Sequence, residues 1–280
     1  MIKSKVLHKV SNQKGVRPQQ IEKDYIISWL LWGISKQELL KGALIFKGGT
    51  CLKKIHIKNY RYSEDMDFTM NPKMENDILN EEIYSAFDEV FGRIRDAANI
   101  NLSIQEKSKD SHEPTNSMKF YIDYVGPLGG NGSHIKLDIT RGEQLEFVIE
   151  QEIVQHNYSD LKEEGNYSIL CYSLKEVVIE KMVALMGRTI PRDLYDFDYL
   201  TDIEGIKIQD VYFEFKQKAE HKGLNPIEFI EKITGKQKTF EKAWNNNLVH
   251  QIKDLPKIKD VWRRIGKQLR KIEKNPLDNR

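Results

Sequence analysis

The stretch Ala43-Leu44-Ile45-Phe46-Lys47-Gly48-Gly49-Thr50-Cys51-Leu52, followed by Asp65-Met66-Asp67-Phe68-Thr69-Met70, decides how this chain is read. Ala43 to Phe46 is a short apolar run closed by two glycines. Thr50 then opens the helix-compatible segment Cys51-Leu52-Lys53-Lys54-Ile55, so the unit reads as strand, glycine turn, helix. From Asp65 onward, acidic or hydroxyl side chains alternate with apolar ones, the period-two pattern of a strand with one wet and one core face. Asn71-Pro72 stops that strand.

These residue types suit triphosphate chemistry. Glycines at 48 and 49 let the backbone approach a ligand closely, and N–H groups at the start of the next helix present positive dipole ends to an anion. Thr50 adds a hydroxyl donor, and the whole segment from Lys47 to Asp67 supplies both cradle and carboxylates. Asp65 and Asp67, two apart on one strand, face the same side at about 7 Å along the backbone, a reach that two Mg²⁺ ions can share. A third carboxylate is expected on a neighbouring strand. Asp138 in Ile135-Lys136-Leu137-Asp138-Ile139-Thr140 is preferred, with Asp123 in Phe120-Tyr121-Ile122-Asp123-Tyr124 as the competing candidate.

Working outward, residues 19 to 41 carry apolar positions at helical spacing with Gly42 just beyond, an amphipathic helix ending at a glycine. Residues 75 to 98 are helical by periodicity, and 107 to 116 form a polar stretch expected to be a hairpin loop. Two strands, 118 to 125 and 134 to 140, flank the turn Pro127-Leu128-Gly129-Gly130-Asn131-Gly132. From Ser173 the pattern turns helical, in segments 175 to 188, 192 to 200, 208 to 221 and 256 to 274. The expected architecture is α+β, with a mixed-sheet domain over 1–170 and a helical domain over 171–280.

Bulk properties narrow the possibilities. The 280 residues allow one large or two modest domains, each with its own core. A net charge of +2 from 44 basic and 42 acidic residues means that any polyanion site is local. Two cysteines, Cys51 and Cys171, are too few for a disulfide framework or a zinc knuckle and read as free thiols. The N-terminus shows no secretory pattern, and the greasy run from Tyr25 to Ile34 covers half of the roughly 20 residues of a membrane span. A cytoplasmic protein with no membrane partner is expected. The glycines do not form Gly-x-Gly-x-x-Gly and no Gly-Lys-Ser/Thr occurs, which speaks against a Rossmann dehydrogenase and a P-loop kinase.

Two basic features remain. Lys181 and Arg188 are seven apart, two helical turns on one face, and can reach a common anion. The alternative is a solvated face in which Lys181 pairs with Glu176 or Glu180. Asp193 and Asp196 follow and either orient the two cations or cap a helix. Near the C-terminus, Lys257, Lys259, Arg263, Arg264, Lys267, Arg270 and Lys271, with Trp262 interleaved, form either a nucleic-acid surface or a solvated amphipathic helix.

Phe46-Lys47-Gly48-Gly49-Thr50-Cys51-Leu52 followed by Arg61-Tyr62-Ser63-Glu64-Asp65-Met66-Asp67-Phe68 resembles the signature of the AbiEii/AbiGii toxin family of nucleotidyltransferases. Ile21-Glu22-Lys23-Asp24-Tyr25 resembles its N-terminal motif. Glu180-Lys181-Met182-Val183-Ala184-Leu185, with Arg188 and Arg192-Asp193-Leu194-Tyr195-Asp196, resembles its C-terminal one. Thr50 stands where many members have serine and keeps the hydroxyl. The resemblance implies a polymerase-β-like core with Asp65 and Asp67 as catalytic metal ligands for Mg²⁺, while Asp138, expected as the third catalytic and metal-holding carboxylate, rests on its strand face and not on the family pattern. It further implies Gly48, Gly49 and Thr50 at the triphosphate and Lys181 as a catalytic or nucleotide-contacting lysine, and Lys47, Arg61 and Arg188 are expected at the nucleotide beside them. A nucleoside triphosphate donor, an RNA acceptor such as the tRNA 3′ end, an antitoxin partner and a role in abortive phage infection follow from it as expectations. A protein side chain as acceptor, or a non-catalytic nucleotide-binding or RNA-binding module, is the alternative.

Overall fold

Short β-branched and aromatic runs bounded by turns build a seven-stranded sheet in a computed structural model that describes residues 1–105 and 117–274. The strands are β1 (Leu44–Lys47), β2 (Met66–Met70), β3 (Leu102–Ile104), β4 (Ser117–Tyr124), β5 (Ser133–Thr140), β6 (Glu150–Ile153) and β7 (Ser168–Cys171). Their order is β3-β4-β5-β2-β1-β7-β6. β2–β5 and β1–β7 run parallel and the remaining neighbours antiparallel, so the sheet is mixed as expected. The hairpin loop anticipated over 107 to 116 lies outside the described residues.

The chain separates into two units. The first comprises Met1–Glu143 and Ile149–Tyr172, and the second takes Gln144–Val148 together with the chain from Ser173 onward.

In the first unit the sheet carries α1 (Ser4–Lys14), α2 (Pro18–Lys36), α3 (Glu38–Ala43), α4 (Gly48–Cys51), α5 (Asn80–Ala98) and α6 (Ser159–Glu163). The single helix expected over 19 to 41 is two. Gln37 is extended, and its side chain accepts from the Leu40 N–H at 2.7 Å, which starts α3 afresh with Gly42 inside it. Nor is α2 amphipathic: between Gln20 and Ile34 every residue but Lys23 is buried, the pattern of a helix enclosed on all sides. The helix expected over 75 to 98 begins at Asn80, where Glu82 accepts from the Leu79 N–H.

The second unit is helical: α7 (Leu174–Gly187), α8 (Pro191–Asp198), α9 (Tyr212–His221), α10 (Phe229–Gly235), α11 (Gln237–Leu248) and α12 (Ile258–Lys274). Phe197, Phe215 and Phe229 meet in its core, with the Phe215–Phe229 centroids 4.8 Å apart. Among the described residues no helix is long and apolar enough to cross a membrane.

Candidate active site

The glycine turn joins the end of β1 directly to α4, and its two glycines are dictated by what presses on them. Gly48 has φ +78°, and a β-carbon there would lie 2.6 Å from Asp67 Oδ2. At Gly49 a β-carbon would lie 2.5 Å from Arg61 Nη2. The absent side chains thus admit a carboxylate on one side and a guanidinium on the other. Thr50 is buried, and its hydroxyl donates to the Asp65 carbonyl oxygen at 2.5 Å. That hydroxyl, expected at the triphosphate, ties the turn to the acidic strand. Arg61 is buried against the ring of Tyr60, and its Nη1 donates to the Tyr62 carbonyl.

Asp65 immediately precedes β2, where a strand was expected to begin, but the alternation holds: Asp65 and Asp67 are partly exposed while Met66 and Phe68 are buried. Strand register decides which other side chains share their face. Lys47 pairs with Asp67, Asp67 with Asp138, and Asp138 with Lys119, a row across four strands in which two adjacent carboxylates are flanked by a lysine on each side. Neighbouring positions in such a row are about 4.8 Å apart. Ser117 Oγ donates to Asp138 Oδ1 at 2.6 Å, and Lys136 lies 3.9 Å from Oδ2. Asp123 shares the wet face but pairs with Ser103 and His134, four residues and about 13 Å along the strand from the row. Gln105 donates to it at 2.5 Å. Lys47 is buried, 3.6 Å from Glu143 and 3.4 Å from Thr140 Oγ1.

The motif on α2 supports this face residue by residue. Glu22 accepts from the Leu128 N–H at 2.7 Å, Lys23 bonds Glu64 at 2.8 Å beside Asp65, and Asp24 bonds Lys54 at 2.7 Å in the turn that follows α4. Tyr158 also donates to Asp24, and Tyr25 to Asp160. Burial alone would raise the Asp24 carboxyl, but the charges of Lys54 and Lys53 and these hydrogen bonds hold it below the usual carboxylate range. Burial pushes the Lys53 ammonium down to about 8, where it sits 3.8 Å over the Tyr62 ring. The positioning role of Glu22, Asp24 and Lys54 was not read from sequence, because their partners are 30 to 134 residues distant.

In the second unit, Lys181 is buried between Asp193 at 2.9 Å and Asp196 at 2.8 Å. Arg188 holds Asp193 with two bonds, Nε–Oδ2 at 2.7 Å and Nη2–Oδ1 at 3.2 Å, while its side chain stays 56% exposed. Of the two readings of Asp193, orientation of both cations is what the geometry shows. Glu176, entertained as a partner of Lys181, bonds the buried Lys218 at 2.7 Å instead.

Asp65, Asp67 and Asp138 share a face without converging on one point. Among the described residues, the one group of three acidic, thiol or imidazole side chains whose ligand atoms lie within 4.8 Å of each other is Cys51, His56 and Cys171. Neither cysteine is in a disulfide, in line with free thiols, but their meeting is invisible in spacings of 5 and 115 residues.

Comparison with known proteins agrees with this architecture. MenT4, a nucleotidyltransferase toxin of Mycobacterium tuberculosis H37Rv, superposes with a TM-score of 0.53 at 20% identity, over 71% of this chain and 64% of that one. This chain thus spans just under two thirds of MenT4. JHP933 from Helicobacter pylori superposes with a TM-score of 0.53 at 14% identity, over 92% and 94% of the two chains. At these identities both likenesses speak for the fold. No curated protein matches the chain. Residues 29–267, most of the sequence and three of the four quoted motifs, all but Ile21–Tyr25, match one family description, and the chain belongs to that family, the nucleotidyl transferase AbiEii toxins of type IV toxin–antitoxin systems.

Proposed function

We propose that the chain transfers a nucleoside monophosphate from a nucleoside triphosphate to an RNA hydroxyl, on the face formed by Asp65, Asp67 and Asp138. The observation that carries this reading is the row Lys47–Asp67–Asp138, with Gly48 leaving room for the Asp67 carboxylate beside the turn. The donor set is all oxygen, which fits Mg²⁺ and not a soft metal. When bound, Mg²⁺ supplies neutralisation of the triphosphate charge, and Asp65, Asp67 and Asp138 are the residues that would hold it.

The chain's own groups account for the rest. The turn over Gly48 and Gly49, with Lys47 and Arg61 beside it, receives phosphate oxygens through cations and backbone N–H groups. Thr50 serves by fixing Asp65. Asp138, steadied by Ser117, takes the proton of the acceptor hydroxyl as its oxygen bonds the α-phosphorus and pyrophosphate departs. Lys181 and Arg188, held by the one carboxylate of Asp193, act as a phosphate-binding pair in the second unit. Family membership supports an antitoxin partner, and the exposed cations of α12 support RNA as acceptor.

The test is incubation of the full chain with Mg²⁺, each labelled triphosphate and total cellular RNA. Label should enter RNA, fall at least about 100-fold in Asp65→Asn, Asp67→Asn and Asp138→Asn, and persist in Asp123→Asn. Label confined to protein would overturn the RNA acceptor. Absence of transfer by a folded chain with every triphosphate would leave a binding module.

A further inference from the structure

Behind the glycine turn, Cys51 at the end of α4, His56 one turn later and Cys171 at the end of β7 bring two sulfurs and an imidazole nitrogen within 4.8 Å of one another. Both cysteines are fully buried, and His56 is partly exposed. In a regular α-helix, residues five apart are rotated by about 140° and cannot converge. Here Leu52–His56 is a π-helical turn, closed by a 2.7 Å bond from the Ile57 N–H to the Leu52 carbonyl, and the wider winding returns His56 toward Cys51. Cys171 arrives on the parallel neighbour of β1, in register with Phe46.

The imidazole is already oriented. Its Nε2 lies 2.8 Å from the Tyr172 carbonyl oxygen, which can only accept, so Nε2 carries the proton and Nδ1 is the nitrogen whose lone pair is available to a metal. A backbone carbonyl holding one ring nitrogen while the other binds is the usual outer support of a metal-ligating histidine.

We propose that Cys51, His56 and Cys171 form a binding site for a soft divalent transition metal of the Zn²⁺ class, with a fourth position open toward the exposed edge of His56. Tetrahedral ligation with bonds of about 2.3 Å to sulfur and 2.0 Å to nitrogen sets ligand atoms about 3.5–4 Å apart, a contraction of at most about 1.3 Å from the 4.8 Å that bounds the cluster. The ion takes the place of protons now shared within the cluster, which leave to solvent. It ties the helix carrying Gly49 and Thr50 to β7. This inference does not rest on the nucleotidyl-transfer reading, since none of the three ligands belongs to that site.

Full-length protein purified under reducing conditions is depleted with chelator, titrated with Co²⁺, and separately loaded with Zn²⁺ and assayed for bound metal. One equivalent per chain is expected, with the near-ultraviolet thiolate-to-cobalt absorption of two Co–S bonds and a melting temperature that rises with Zn²⁺. Cys51→Ser/Cys171→Ser should abolish the absorption, and His56→Gln should weaken binding at least about tenfold. Asp65→Asn and Asp67→Asn should leave the cobalt spectrum unchanged, which separates this site from the carboxylate face. If the double variant fails to fold, the wild-type spectrum and release of Zn²⁺ by a thiol-blocking mercurial decide the matter. Less than about a tenth of an equivalent of Zn²⁺, cobalt absorption without sulfur character, or a Cys51–Cys171 disulfide in place of metal would each overturn it.

Discussion

A β-carbon at position 48 would be set 2.6 Å from Asp67 Oδ2 on a backbone with φ +78°, so Gly48→Ala perturbs the carboxylate more than the fold. The left-handed backbone costs a β-carbon-bearing residue about 1–2 kcal/mol. On the proposed reading of Asp67, displacing its metal-holding carboxylate by about 1 Å costs on the order of 100-fold in rate. Gly48→Ala should therefore lose about 100-fold in transfer rate in the labelled-RNA assay while urea unfolding shows a drop of only about 1–2 kcal/mol; near-normal turnover would mean that the Asp67 carboxylate has room to move. Asp24→Asn should act in the opposite sense. It leaves Lys54 buried and unpaired, at a cost of about 3–5 kcal/mol. Because the folded Asp24 carboxyl lies below its unfolded value, its contribution is complete above the ordinary carboxylate range and disappears as pH falls through the folded value. Urea midpoints followed from about pH 7 to about pH 3 should decline less steeply in Asp24→Asn than in the parent. An equally steep decline would assign the acid sensitivity to other carboxylates, Asp193 first among them, since Lys181 and Arg188 depress it in the same way against its burial.

At the scale of elements, the segment Gln144–Val148 leaves the sheet unit and joins the helices because Glu176 captures it. The Glu176 carboxylate accepts the N–H groups of Glu146 at 3.0 Å and Phe147 at 2.8 Å, while Lys218 bonds both that carboxylate and the Gln144 carbonyl. Hydrogen bonds to a charged group contribute about 1.5–3 kcal/mol, so Glu176→Gln should speed amide exchange at Glu146 and Phe147 by about 10- to 100-fold. Unchanged protection would show that packing alone holds the segment. Nothing in the sequence announces this capture, since both partners are charged and buried charges are rare. The alternation at Asp65–Phe68 and Ile135–Thr140 was legible because each of these runs has one buried and one partly exposed face. Glu150–Ile153 lacks any apolar alternation and is a strand only because it lies on the edge of the sheet beside β7. The division of α2 from α3 likewise turns on a single side-chain bond from Gln37, a residue type with no strong boundary signal.

For the whole molecule, a net charge of +2 offers no long-range attraction for RNA, so any affinity arises from where the cations lie. The C-terminal stretch illustrates what a sequence can and cannot apportion. Its periodicity marked a helix, and Val261, Ile265 and Leu269 do form a buried stripe. Its cations looked alike, yet Arg264 bonds Asp198 through both Nε and Nη2, whereas Lys259, Arg263, Lys267 and Arg270, like Lys257 and Lys271, are exposed. Only the exposed set can displace counterions from a phosphate backbone. If α12 contacts single-stranded RNA, replacing Lys259, Arg263, Lys267 and Arg270 by Gln should lower the slope of log affinity against log salt by about 0.7 for each contact removed, without altering which RNA is preferred. Arg264→Gln should instead lower the melting temperature, because it strands the nearly buried Asp198. Binding measured by fluorescence anisotropy at several salt concentrations distinguishes the two. A slope indifferent to those four cations would place the RNA surface elsewhere, and α12 would then be a solvated helix whose buried stripe serves only the helical unit.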